Sequence, residues 1–247
     1  AEQVVEFPNR SARYLINKTR LPDAVIRLYV FYYEPNMVGP AHKHTTETEI
    51  FYCLKGAGKI RVGAEEFIFT PGTVVYVDPF QAGDYSEGAD LILVSHEHSD
   101  HNRIRLITPN EGCLTLRTGD TINRDGSYNT FEHLGVRVEP FPAYNKNHRI
   151  SQINGFLLTF DGITVYFASD TSCIPEMETL SEREVDYALF PIDGQYNMGA
   201  AEAMKCAALI GARHNIPMHF LNADPALFQP ENLLFIPCGE TVALEGK

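Results

Sequence analysis

Residues 89–101 constrain the fold most strongly, because an apolar strand ends there in a cluster of metal-ligand side chains. Directly after Ala-Asp-Leu-Ile-Leu-Val-Ser come His96, His98, Asp100 and His101. Desolvating four such groups at the end of a buried strand is unfavourable unless a bound cation compensates. His96 and His98 lie two residues apart, so in an extended stretch their rings leave on one face and can share an ion. Asp100 and His101 can reach a second ion, and the spacing disfavours the alternative of a merely histidine-rich loop.

Three later residues are further candidate ligands. Asp170 ends the apolar run 163–168, and a lone buried carboxylate there would need a partner; an N-terminal helix cap is the alternative. His148 follows a polar turn, where a solvated histidine is the alternative. His219 ends a strand, where a hydrogen-bonded core histidine is the alternative. Two histidines lack comparable context and are interpreted as ordinary: His133 and His214.

The pattern His-x-His-x-Asp-His after an apolar strand resembles the signature of the metallo-β-lactamase superfamily. The resemblance covers roughly residues 73–220 and looks closest to the branch containing the ascorbate-phosphate lactonase. The later segments that carry it are Pro142-Ala143-Tyr144-Asn145 with His148 and Gly155-Phe156, Ala168-Ser169-Asp170-Thr171, Pro175-Glu176-Met177, Pro191-Ile192-Asp193-Gly194 and Ile216-Pro217-Met218-His219.

The resemblance implies two ligand groups, with Asp170 bridging two divalent ions. His96, His98 and His148 would bind one ion, and Asp100, His101 and His219 the other. Nitrogen and oxygen ligands without thiolate suit zinc, with manganese or iron as alternatives. The implied reaction is attack by a metal-bridging hydroxide on an ester, lactone or phosphodiester of a small molecule. Asp100 and Asp170 are the expected catalytic residues, and the expected substrate contacts are Tyr144 and Asn145.

A second resemblance lies upstream, in residues 39–56. His42, His44 and Glu49, followed by Gly56, resemble the first cupin motif, which would supply three ligands for a further metal site. Residues 71–77 resemble the start of the second cupin motif, but the histidine expected near residues 81–86 is absent. A histidine pair in a degenerate barrel is therefore as good an interpretation as a metal site.

The fold prediction is an α+β protein in two parts. Residues 1–72 are predicted to form a small all-β cupin-like module, since β-branched and aromatic runs alternate with glycines. Residues 73–247 read as an αβ/βα sandwich of the metallo-β-lactamase type, two sheets with helices outside. Residues 200–210 are the clearest helix, with Gly211 suited to its C-terminal end. Asp161-Gly162 predicts a tight hairpin turn.

Composition narrows the partners and the location. The net charge of −12 opposes binding to nucleic acid, so a small-molecule substrate is expected. No apolar run of about 18 residues exists, and no targeting segment is visible, so we expect no membrane span and a cytoplasmic location. A homo-oligomer could form through the N-terminal β module.

Five scattered cysteines favour free thiols over disulfides: Cys53, Cys113, Cys173, Cys206 and Cys238.

Two other functions stay open. In the first, the cupin-like part binds a small molecule as a sensor and the lactamase-like part is a non-hydrolytic scaffold. The complete set of seven ligands favours the enzyme, because each buried polar group is unfavourable in a site that no longer binds metal. In the second, the chain is a cupin dioxygenase or isomerase that uses His42, His44 and Glu49. The absence of the fourth cupin ligand argues against this function.

Overall fold

A computed structural model describes most of the chain and divides it into two compact units, Ala1–Tyr52 and Cys53–Lys247. The predicted domain boundary between residues 72 and 73 stays a prediction. The described residues are 3–7, 10–16, 28–33, 37–39, 41, 53, 58–62, 65–69, 72–80 and 85–246.

The first unit contains a three-stranded antiparallel sheet in the order β1–β2–β3. Its strands are β1 (Gln3–Phe7), β2 (Arg10–Ile16) and β3 (Leu28–Tyr33). The sequence of β3, Leu-Tyr-Val-Phe-Tyr-Tyr, is of the β-branched and aromatic kind that favours strands. A small N-terminal strand module is therefore present, as predicted.

The second unit begins with an antiparallel hairpin and continues into two larger sheets. The smaller of these is parallel in the order β6–β7–β8, and the larger is mixed in the order β14–β13–β12–β11–β10–β9. The strands are β4 (Gly58–Val62), β5 (Glu65–Phe69), β6 (Val75–Val77), β7 (Ala89–Leu93), β8 (Pro109–Leu116), β9 (Phe131–His133), β10 (Val136–Pro142), β11 (Asn154–Phe160), β12 (Ile163–Phe167), β13 (Tyr187–Pro191) and β14 (His214–Met218).

Helices are few in the described part of the chain. The two α-helices are α1 (Thr118–Thr121) and α2 (Ala200–Ile210), and the three 3₁₀ helices are Ile104–Leu106, Pro175–Arg183 and Pro225–Leu227. None of the helices among the described residues has the length and apolar character needed to cross a bilayer.

A layer of buried apolar side chains joins the two larger sheets. Leu91 and Leu93 of β7 pack there against Phe156 of β11 and Val138 of β10. The opposite face of the larger sheet is covered by α2 and by the 3₁₀ helix Pro175–Arg183. Because successive side chains of a strand point to opposite faces, β11 serves both layers and is buried over most of its length. The predicted sandwich with helices outside is thus confirmed.

Two local predictions are also confirmed. Helix α2 spans Ala200–Ile210, and Gly211 follows it in the left-handed conformation, which glycine adopts without steric penalty. Asp161 and Gly162 join β11 to β12 with φ values of 48° and 76°, as the type I′ hairpin turn requires.

The expectation of free thiols is wrong for two of the five cysteines. Cys173 and Cys206 form a disulfide across a sequence separation of 33 residues. Their Cα atoms lie 5.7 Å apart, which is a usual disulfide spacing. The packing of α2 against the segment after β12 creates this proximity, so spacing along the chain could not indicate it. The bond ties α2 to the loop that follows Asp170.

Replacing Gly155 with alanine is expected to destabilise the sandwich. A Cβ atom at Gly155 would lie 2.6 Å from the carbonyl oxygen of Phe167 and 3.0 Å from that of Ala168. These are backbone atoms, which cannot move away by a change of rotamer. We expect Gly155→Ala to lower the free energy of unfolding by about 1–3 kcal/mol in a urea titration. Gly119→Ala is the control, because nothing lies within 4 Å of its Cβ position. Equal stability of the two variants would contradict the prediction.

Candidate metal centre

The direction of the strands brings the candidate ligands to one edge of the larger sheet. β10, β12, β13 and β14 all run the same way, since β11 is antiparallel to β10 and β12 and the last three strands pair in parallel. His148, Asp170 and His219 follow the C-terminal ends of β10, β12 and β14. In the smaller sheet, β7 ends just before His96. The amide of Asn154 donates to the carbonyl of Ser95 at 3.1 Å, which joins this edge to the end of β7.

Six of the seven predicted ligands fall into two groups at this edge. Within each group, one potential ligand atom of every residue lies within 4.8 Å of the others. The first group holds His96, His98 and His148, and the second holds Asp100, His101 and His219. These are the sets that the family resemblance implies for the two ions.

Asp170, the seventh residue, lies between the two groups. Its Oδ1 atom is 3.6 Å from His101 Nε2 and 3.6 Å from His219 Nε2. Its Oδ2 atom is 3.8 Å from His148 Nε2. These separations are longer than hydrogen bonds, so the atoms face a shared space rather than each other. One carboxylate oxygen is therefore directed toward each group.

The outer nitrogens of His96 and His101 are held by Ser95 and Asp78. His101 Nδ1 lies 2.8 Å from Asp78 Oδ2, and His96 Nδ1 lies 3.0 Å from Ser95 Oγ. The Ser95 hydroxyl donates to the same Asp78 oxygen at 2.5 Å, so it can accept the proton of His96 Nδ1. Asp78 belongs geometrically to a third group with His96 and His101, but these contacts commit it to orienting the rings.

His148 and His219 have outer partners of the same kind. His148 Nδ1 lies 3.0 Å from Asn145 Oδ1, and His219 Nδ1 lies 3.2 Å from Asp193 Oδ2. Burial raises the pKa of the Asp193 carboxyl, but hydrogen bonds from nearby backbone amides and from Asn197 outweigh it and lower the pKa overall. Asp193 is therefore an anion that faces His219 Nδ1 at an ion-pair distance, without the geometry of a hydrogen bond. Four histidines thus direct Nε2 inward, each with a neighbour at Nδ1.

The inward-facing nitrogens of His96 and His101 fit a metal site. Among the described residues, neither Nε2 atom has a hydrogen-bond partner, although both are buried. A buried polar atom without a partner is destabilising, and a bound cation would remove that penalty. His98 is exposed and the side chain of Asp100 is 45% exposed, so the centre is open on their side.

The protonation states of His96 and His148 favour metal binding, whereas that of His101 depends on its carboxylate neighbours. Burial lowers the pKa of His96 to about 2, helped by the neighbouring histidines, so this ring is neutral at pH 7. The pKa of His148 is also lowered, mainly by burial. Burial lowers the pKa of His101 as well, but its hydrogen bond with Asp78 and the nearby carboxylates raise it overall. Neutral imidazole is the form that ligates metals.

Left-handed backbone occurs at three of the strand ends that supply the site. Asp78, Ser169 and His219 have φ values of 47°, 61° and 45°. Each such residue costs about 1–3 kcal/mol, and such conformations concentrate at functional sites. The strain lies at or next to the residues that converge on the shared space.

The two predicted substrate contacts are engaged in contacts of their own. The Tyr144 hydroxyl donates to Glu176 at 3.0 Å, and Asn145 holds His148. Their contact with substrate stays a prediction. His133 and His214 lie outside both ligand groups, as expected. The proposed cupin ligands lie outside the described residues: His42, His44 and Glu49.

Sequence reasoning assigned no orienting role to any of the residues that hold the ligand rings, and of them it predicted only Asn145 as a site residue, in contact with substrate. Asp78 and Asp193 each come directly or almost directly after a strand, β6 and β13, which is the arrangement that identified Asp170. That signal could have found both. Ser95 and Asn197 carry no comparable signal, because serine and asparagine are common in loops.

Comparison with known proteins gives a match for each of the two predicted parts of the chain. Residues 66–219 match the beta-lactamase superfamily domain, and residues 29–82 match the cupin domain. The chain is similar to a UPF0173 metal-dependent hydrolase of Pyrococcus furiosus, at 30% identity over 196 residues, which is 69% of this chain and 87% of the relative.

Two solved structures share the fold. One, from Parabacteroides distasonis and described as a metal-dependent hydrolase, has a TM-score of 0.56 at 20% identity and covers 95% of this chain and 98% of its own. The other, a metallo hydrolase of Ignicoccus hospitalis, has a TM-score of 0.56 at 21% identity. That match covers 79% of this chain and 97% of the Ignicoccus chain.

Acid is expected to destabilise the metal-free protein through His96. Its pKa lies below its ordinary value of 6.5 in the folded state, so the unfolded state takes up the proton first. The stability that depends on the neutral ring is present above pH 6.5 and is lost as the pH falls below it. We expect the melting temperature of chelator-treated protein to fall between pH 7 and pH 5, and to fall less in His96→Asn. Equal losses in both proteins would contradict this.

Proposed function

The chain belongs to the metallo-β-lactamase superfamily, in its UPF0173 metal-dependent hydrolase family, and on that premise we propose that it is a dinuclear hydrolase. Its substrate is a small molecule with an ester, lactone or phosphodiester bond. Zinc is the proposed metal, with manganese or iron as alternatives, because the ligands are nitrogen and oxygen atoms without thiolate.

The observation that carries the proposal is the convergence of ligand atoms on Asp170. Its two carboxylate oxygens face different ligand groups, at 3.6 Å and 3.8 Å from the nearest histidine nitrogens. The buried Nε2 atoms of His96 and His101 have no hydrogen-bond partner among the described residues. A carboxylate between two sets of ligands can bridge a pair of cations, and this position supports the bridging role of Asp170.

Divalent ions at this centre would supply acidity to a water that they share and polarisation to the oxygen of the bond under attack. The protein's part is to hold the ligand atoms in place. Asp78, Ser95, Asn145 and Asp193 do so from the outside. The exposed side of the centre, near His98 and Asp100, leaves room for a substrate to approach.

The substrate class is narrowed by charge and by resemblance. A net charge of −12 disfavours long polyanions such as nucleic acids. Among small molecules, lactones are the first to test, since the motifs resemble those of the ascorbate-phosphate lactonase branch. A panel of lactones, phosphodiesters and thioesters, assayed with zinc and with manganese, tests the proposed reaction. Turnover of no compound by the metal-loaded protein would favour a non-hydrolytic sensor.

Metal analysis tests the dinuclear centre. We expect about two equivalents of zinc per chain in the purified, metal-loaded protein, lost in His96→Ala together with hydrolysis. The reason is that His96 is a buried ligand of the first group, and Asp170 connects that group to the second. His133→Ala is the matched control, because this ring contacts a backbone oxygen away from the cluster. One equivalent in the wild-type protein would contradict a dinuclear centre.

The match to a cupin domain supports a second candidate metal site in the N-terminal module. His42, His44 and Glu49 are its proposed ligands. An equivalent of metal that is lost in His42→Ala but kept in His96→Ala would support this site. If His42→Ala retains all bound metal, the module is better explained as an aid to substrate selection or to association of two chains.

A further inference from the structure

Two of the proposed ligands, one from each group, are connected behind the centre by a chain of polar side chains. His148 belongs to the first group and His219 to the second. The connection runs from His148 through Asn145, Asn197 and Asp193 to His219. The inference drawn from it rests on the dinuclear centre proposed above.

The first half of the connection is made by Asn145. Its Oδ1 atom accepts from the backbone amides of Asn147 at 2.7 Å and His148 at 3.0 Å, and lies 3.0 Å from His148 Nδ1. Its Nδ2 atom donates to Asn197 Oδ1 at 3.0 Å and to the carbonyl of Tyr196 at 3.1 Å. The amide of Asn145 is therefore bonded at both ends, and its orientation follows from the donors at Oδ1.

The second half is made by Asp193, whose side chain is fully buried. Its Oδ1 atom accepts from the backbone amides of Gln195 at 2.8 Å and Tyr196 at 2.6 Å, which fixes the turn after β13. Its Oδ2 atom accepts from Asn197 Nδ2 at 2.8 Å and lies 3.2 Å from His219 Nδ1. The two carboxylate oxygens thus have separate tasks.

We propose that Asn197 and Asp193 are positioning residues that, with Asn145, lock His148 and His219 in one relative arrangement and so couple the affinities of the two ions. Asn197 is buried and donates and accepts between the two halves, and its hydrogen bonds go to Asn145 and Asp193 rather than to a histidine. Loosening it should therefore affect one ligand of each ion at once. A residue that served only the turn would affect neither ion.

Cobalt binding provides a readout that does not depend on activity. Co²⁺ is titrated into the metal-free full-length chain and followed by its absorption, with a competing chelator to obtain both dissociation constants. His148→Ala and His219→Ala serve as reference variants that identify the spectrum of each ion. Melting temperatures of the metal-free variants verify that each one folds.

Asp193→Asn is the sharpest variant. Asparagine can keep the Oδ1 contacts of the turn, while its NH₂ group replaces the charged oxygen that faces His219 Nδ1 and accepts from Asn197 Nδ2. We expect the dissociation constant of the ion at Asp100, His101 and His219 to rise by about 10- to 100-fold. The constant of the other ion should rise severalfold, because Asn197 loses its acceptor. An unchanged constant for that ion overturns the proposal.

Asn197→Ala tests the coupling itself. We expect the dissociation constants of both ions to rise severalfold, and those of the control Asn123→Ala to stay as in the wild type, since Asn123 makes its side-chain hydrogen bonds in an exposed loop. A change in neither ion, or in only one, overturns the coupling. If Asn197→Ala does not fold, Asp193→Asn decides, with a rise confined to one ion counting against coupling. Failure of the wild-type protein to bind cobalt would instead refute the dinuclear centre.

Discussion

The outer polar contacts at histidine Nδ1 are the restraint on which the rest of the site depends. An imidazole can bind a metal through either ring nitrogen, and the partner of the other nitrogen selects which one. Here Asp78, Ser95, Asn145 and Asp193 occupy that outer position for four rings. Their Nε2 atoms are left to face the shared space around Asp170. Without these contacts, the ligands would have the right composition but no defined direction.

The packed sandwich stabilises the strand ends that carry these polar residues. Parallel strands deliver several polar residues to one edge while the apolar layer behind them, with Phe156 at its centre, keeps the strands in place. Burial also keeps His96 neutral and therefore competent as a ligand. Asp78 and His219 have left-handed backbone where their strands end at the site.

The sequence predicted the parts of the site that carry a local signal. His96 and Asp170 could be recognised because each follows an apolar strand, where a polar group needs a reason to be present. The same reasoning extended to the sandwich, the α2 helix and the Asp161-Gly162 turn. It did not reach Asn197, whose importance arises from three contacts made only in the folded chain. Nor did it reach the bond between Cys173 and Cys206, which depends on how α2 packs.

The order of strands has a consequence for folding. His219 follows β14, which is the last strand among the described residues and an edge strand of the larger sheet. The first group, His96, His98 and His148, needs no residue from β14 onward. The second group lacks one of its three ligands until β14 has paired with β13. A complete pair of cation sites therefore forms only after this edge strand has joined the sheet.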